Sequence, residues 1–129
     1  MKKILFVCIE NACRSQLAEA ISNSYYGHAL QASSAGSKPA DKVNPKAISS
    51  LLRMGLHIEP KEPKDVKNFE NNDFDYVVTM GCGDKCPHFP GAKIFDWQIP
   101  DPKHMSDDDF DVIRDLIDLK IQSELIPDA

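Results

Sequence analysis

Ile4-Leu5-Phe6-Val7-Cys8-Ile9-Glu10-Asn11-Ala12-Cys13-Arg14-Ser15 is the stretch on which the fold turns. Its unbroken apolar opening predicts a strand over Lys3 to Ile9 that is buried on both faces, as in a parallel sheet. The period then changes. Ser15 to about His28 reads as a helix with Leu17, Ala20, Ile21, Ser24 and Tyr25 on one side. A thiol, Cys8, and a guanidinium, Arg14, therefore bracket a strand-to-helix turn. A helix N-terminus offers unpaired N–H groups and partial positive charge, which together favour a bound anion. A thiol at the mouth of such a turn gives up its proton readily, and the Arg14 fork matches two oxygens of a tetrahedral oxyanion. The chemistry implied is thiolate attack on a phosphate-like centre. The loop itself, Cys8, Ile9, Glu10, Asn11, Ala12, Cys13, Arg14 and Ser15, is the expected oxyanion cradle.

Outward from this turn, the pattern alternates strand and helix. Gln31 to Ala35 reads as a second strand ending at Gly36, and Ser37 to Val43 as a loop. Asn44-Pro45 is a helix start, with a cap and then a proline in the first turn, and Gly55 is the matching stop. Asp65 to Asn71 reads as a short helix, Asp75 to Met80 as a third strand and Lys93 to Trp97 as a fourth. Ser106-Asp107-Asp108-Asp109 opens a last helix with acidic residues where the dipole favours them, and Phe110, Ile113, Leu116, Ile117, Ile121 and Leu125 mark its packed side. The expectation is an α/β fold: one domain over residues 1–129, an open sheet of four mostly parallel strands with helices on both faces. In such sheets ligands bind beyond the carboxyl ends of the strands. The turn after Cys8, the segment Gly81 to Cys86 and the segment Gln98 to Asp101 are all predicted to lie there.

Composition narrows the partners. A chain of 129 residues can bury a conventional core, and its 15 basic and 20 acidic side chains leave net charge −5, which argues against nucleic acid. No apolar run approaches the roughly 20 residues needed to cross a bilayer. The first strand begins within three residues of Met1 without a cleavage site, so no signal peptide is expected and the protein is read as cytoplasmic; a monomer is expected as well. In a reducing compartment, Cys8, Cys13, Cys82 and Cys86 are catalytic or metal-binding rather than structural staples. A four-thiolate zinc clip is the non-catalytic alternative. By alternation Cys13 should point away from the anion, Trp97 should be core, and the four histidines show no ligand spacing.

Cys-x5-Arg-Ser directly after a strand resembles the signature loop of the low-molecular-weight tyrosine phosphatase superfamily. The likeness continues through Ser15 to Glu19, Ser34-Ala35-Gly36, Asn44 to Ile48, Asp75 to Thr79, Cys82, Cys86-Pro87 and Asp101-Pro102. Within that superfamily the chain looks most like the arsenate reductases coupled to a thioredoxin-type reductant, which have a flavodoxin-like fold. The resemblance implies that Cys8 attacks arsenate, that Cys82 and then Cys86 carry a disulfide relay, and that thioredoxin or a low-molecular-weight thiol clears it. It also implies that Asp101 is the general acid, and that Ser15 donates to the Cys8 sulfur. No cofactor is required, although Asn11, Glu19, Ser34 and Asp65 match positions that surround a potassium ion in some related reductases. A spacing of four puts Cys82 and Cys86 about 6 Å apart if helical, within disulfide reach. The alternative function is a phosphatase using only Cys8, Arg14 and Asp101. Gln16, where those phosphatases carry proline, and the lack of an aromatic residue between Ser37 and Val43 favour the reductase. One departure stands out: relatives usually carry glycine where this chain has Glu10, whose carboxylate must point outward from an anion site.

Overall fold

The computed structural model describes residues 1–59, 61–81 and 89–126. Four strands, β1 (Lys2–Cys8), β2 (Leu30–Gly36), β3 (Tyr76–Thr79) and β4 (Lys93–Asp96), form one sheet in the order β2-β1-β3-β4. Every pairing is parallel, and Cys8 stands opposite Gly36 at the carboxyl end of the central strand. β1 lies between two neighbours and beneath two layers, which explains its unbroken apolar run: Ile4 to Val7 are fully buried.

Three α-helices complete the frame: α1 (Arg14–Tyr25), α2 (Pro45–Arg53) and α3 (Asp107–Lys120), the last continuing into a π-helical turn, Ile121–Leu125. The Asn44 carboxamide caps α2 by accepting from Lys46 N–H at 2.9 Å, with Pro45 at the first helical position, and Gly55 ends that region at φ +91°. Ser106 caps α3 in the same way. The main core joins Ile4, Phe6 and Val78 of the sheet to Leu17 and Ile21 of α1, Ala47 and Leu51 of α2, and Phe110, Ile113 and Ile117 of α3. Leu5, Val7 and Val77 point to the opposite face, where Val66 and Phe69 of a 3-10 turn, Val66–Phe69, cover them together with Phe89.

Two sequence expectations change in detail. α1 does not bury a single stripe: Arg14 through Ser22 are all buried, because sheet, α2 and α3 enclose the helix on several sides. Ser24 and Tyr25, expected on the packed side, are exposed, since α1 runs past the edge of the core in its last turn. The short helix expected over Asp65 to Asn71 contracts to the 3-10 turn, capped by the Asp65 carboxylate accepting from Lys67 N–H. Trp97 is core as expected, with its ring centroid 6.2 Å from that of Phe6.

Candidate active site

The turn between β1 and α1 is held from outside by its carbonyls. Cys8, Ile9, Glu10 and Ala12 each accept from one N–H of Ser37, Lys38, Ala40 and Asn44 respectively, and Asn11 O accepts from the Gln16 side chain. With the carbonyls drawn outward, the amides face in. Among the described residues, the N–H groups of Glu10 to Cys13 find no protein acceptor. Such a ring of unspent donors at a helix start is the requirement for holding a tetrahedral anion. Gly36 makes the arrangement sterically feasible. A Cβ there would lie 2.6 Å from Ile9 O and 2.9 Å from Asn11 N, so no larger residue fits beneath the loop.

A chain of buried side chains then reaches the thiol. Asn11 has a left-handed backbone, φ +53°, and its Oδ1 accepts from Lys64 N–H at 2.9 Å and Gln16 Nε2 at 3.2 Å. That fixes the amide so that Nδ2 donates to Ser15 Oγ at 2.7 Å. The serine oxygen, already accepting, has its own proton free for Cys8 Sγ, 2.9 Å away. Ser15 and Asn11 are wholly buried, whereas the Ile9 side chain is 40% exposed and belongs to the cradle through its backbone alone.

Arg14 joins the three segments expected at this end of the sheet. Its Nη1 donates to Ile99 O at 3.0 Å, and Nη2 lies 3.8 Å from Asp101 Oδ2. Gly81, at φ +96°, rests against the same guanidinium, and a Cβ there would fall 2.6 Å from Nη1. The Asp101 side chain is 47% exposed, and its Oδ1 accepts from Lys103 N–H at 3.0 Å. Cys8, Arg14 and Asp101 line one cavity of about 280 Å³ together with Cys13, Lys42, Asn44 and Lys103. Cys82 and Cys86, the expected relay thiols, lie outside the described residues.

Three expectations about the site are corrected. Cys13 does not turn its back on the cavity but lines it, because the backbone twists at the helix start. Burial pushes its thiol up to about 12, against a lowering hydrogen bond from Asn44, so it is protonated at neutral pH. Glu10 does not escape outward: it lines the cavity, and its carboxylate is answered by Lys103 Nζ at 2.9 Å. Three of the four residues of the potassium set already accept from protein donors. Glu19 Oε1 accepts from Ser34 Oγ and Oε2 from Lys61 Nζ, each at 2.8 Å, while Asn11 Oδ1 and the Asp65 carboxylate serve backbone N–H groups. A tethered ammonium supplies the positive charge beside Glu19, so this donor set does not fit a bound cation. Among the described residues no group of three or more His, Cys, Asp or Glu could hold a metal, and no helix is long and apolar enough to cross a membrane.

Gly36, Lys61 and the Glu10–Lys103 pair were not legible as functional residues, because their roles rest on contacts between distant segments. Ser34-Ala35-Gly36 hinted at the first of them.

A cysteine in an amide cradle, an arginine behind it and a carboxyl across the cavity are the groups that covalent cysteinyl chemistry on an oxyanion requires. Residues 3–125 match the family model described as low molecular weight phosphotyrosine protein phosphatase, and the chain belongs to that family. It is similar to the glutaredoxin arsenate reductase of Synechocystis sp., 32% identical over 95% of both chains. Its fold superimposes with a TM-score of 0.83 on a solved arsenate reductase in the phosphate binding state, 30% identical over 95% of both chains. A thioredoxin-dependent arsenate reductase of Corynebacterium glutamicum gives a TM-score of 0.74 at 35% identity, covering 95% of this chain and 59% of that one.

Proposed function

We propose that this protein is an arsenate reductase, acting as a single cytoplasmic domain and a monomer. The observation that carries the reading is the Asn11–Ser15–Cys8 hydrogen-bond chain beneath a ring of free amides, in a chain whose relatives are named arsenate reductases. The Cys8 thiolate attacks arsenic held by the loop amides and Arg14. An S–As bond forms as an As–O bond breaks, and Asp101 protonates the departing oxygen. Cys82 as thiolate then attacks Cys8 Sγ. The S–S bond forms, the S–As pair stays with arsenic, As(V) becomes As(III), and arsenite leaves. Cys86 attacks Cys82, releasing Cys8 as thiolate and leaving a Cys82–Cys86 disulfide. An external dithiol of the thioredoxin or glutaredoxin kind returns the two electrons. Cys82 follows directly on Gly81, whose backbone lies against Arg14, so the chain leaves β3 beside the reacting centre.

The test is arsenate-dependent oxidation of reduced thioredoxin or glutaredoxin. Turnover should vanish in Cys8→Ser, Cys82→Ser and Cys86→Ser alike, whereas aryl phosphate hydrolysis should vanish only in Cys8→Ser. Full multiple turnover by Cys82→Ser would refute the relay.

A further inference from the structure

We propose that the Glu10–Lys103 ion pair is a clasp that positions Asp101 over Cys8, an inference that rests on the reaction proposed above. The segment carrying Asp101 alternates buried and exposed residues. Ile99 is buried, and its carbonyl takes the Arg14 hydrogen bond; Pro102 is buried and its carbonyl accepts from Met105 N–H at 2.9 Å, whereas Pro100, Asp101 and Lys103 are exposed. Asp101 is held by two contacts that pull in different directions. Arg14 Nη2, 3.8 Å from Oδ2, draws the carboxylate down onto the guanidinium that the oxyanion needs. Lys103 N–H, 3.0 Å from Oδ1, holds it up in a tight side-chain-to-backbone turn.

Pro102 roots that turn, and Lys103 supplies its link to the opposite wall. Its ammonium reaches across the cavity to both oxygens of Glu10, at 3.2 and 2.9 Å, on the anion loop itself. Glu10 raises the Lys103 ammonium above its ordinary value, with Asp101 adding to the effect. Glu10 is rigidly placed, because its carbonyl accepts from Ala40 N–H and Gly36 packs beneath the loop. The clasp therefore ties the acid segment to the cradle 93 residues earlier in the chain. It also cancels the charge that Glu10 would otherwise present to an incoming anion. A carboxylate on an anion loop thus acts as an anchor for the opposite wall.

Glu10→Gln/Lys103→Met removes one charge of each sign, so the net charge around the cavity is unchanged. Partly exposed pairs contribute little to stability, so the double variant folds. The measurement is single-turnover loss of thiols by the pre-reduced protein after mixing with arsenate. The double variant should lose about tenfold in maximal rate, with half-saturating arsenate within about twofold of wild type. Introduced into Asp101→Asn, the same pair of changes should cost nothing further. A fall that persists in the Asp101→Asn background, a shift in half-saturation instead of rate, or no fall at all would each overturn the clasp. An Asp101→Asn protein as fast as wild type would overturn the acid assignment and the clasp with it. Wild-type protein that consumed no thiols would overturn the reaction itself.

Discussion

The two walls of the cavity are held by opposite means. The anion loop is fixed by backbone hydrogen bonds, a glycine with no room for a Cβ, and side chains wholly buried beneath it. The Asp101 wall is exposed and rests on one capped turn and two ion pairs. The difference follows from what each wall has to do. Amides that stabilise developing charge must be in place before substrate arrives, because reorganising them costs catalytic power. A group that passes a proton needs contact with water and only modest orientation. Preorganisation is concentrated where charge develops.

Substitutions under the loop should therefore cost far more than substitutions on the acid side. Gly36→Ala drives a methyl group into Ile9 O and Asn11 N, and should lower kcat/KM for arsenate by about 100-fold or more. An alanine at this position with near-wild-type kinetics would break the comparison. Gly81→Ala meets the Arg14 guanidinium at a φ of +96°, and should raise the arsenate requirement by about tenfold. Asn11→Ala strands the Lys64 N–H and removes the donor that orients Ser15. It should cost about 1–3 kcal/mol in urea unfolding and slow the reaction as well, whereas a purely structural Asn11 would leave the rate of the folded fraction intact.

Lys61→Met sharpens the comparison at the back of the site, where it leaves the Glu19 carboxylate buried without its cation. A loss of about 1–3 kcal/mol is expected from thermal unfolding. Wild-type stability should be the same in potassium and sodium chloride at equal ionic strength. A specific stabilisation of wild type by potassium would refute the tethered-ammonium reading.

The smallest effect lies far from the site, where Arg53 and Ser50 of α2 bond Asp111 of α3. Arg53 chiefly holds that carboxyl down to about 2, from its ordinary 3.8. The ionised form therefore stabilises the fold above pH 3.8, and the contribution disappears as pH falls toward 2. Asp111→Asn should cost about 1 kcal/mol at neutral pH, a difference that shrinks below pH 3.8 and vanishes as pH falls through about 2. A difference that did not shrink with acid would mean that packing, not charge, joins the two helices.

Most of the fold was legible because its signals are local. The apolar run at Ile4 to Val7, the Asn44-Pro45 start and the Ser106 cap each state their structure within a few residues. Cys8, Arg14, Ser15 and Asp101 were legible because their chemistry restricts them to particular offsets around a strand end. The rest depends on pairs far apart in sequence. Lys61 reaches Glu19 across 42 positions, and Lys103 reaches Glu10 across 93. Nothing near Lys61 or Lys103 in the sequence marks either lysine as a partner for a carboxylate at the site. The burial of α1 from Arg14 through Ser22 was also hidden, since its composition is that of a half-polar helix and only the packing of the sheet, α2 and α3 encloses it.

One trapping experiment reaches the centre of the account. Pre-reduced Cys86→Ser protein is given one equivalent of arsenate, alkylated, and mapped by peptide mass spectrometry. The predicted product is a disulfide between Cys8 and Cys82, one arsenite released per disulfide, and Cys13 still a free thiol. A disulfide joining Cys8 to Cys13, or arsenite formed while Cys8 and Cys82 both remain free, would contradict it.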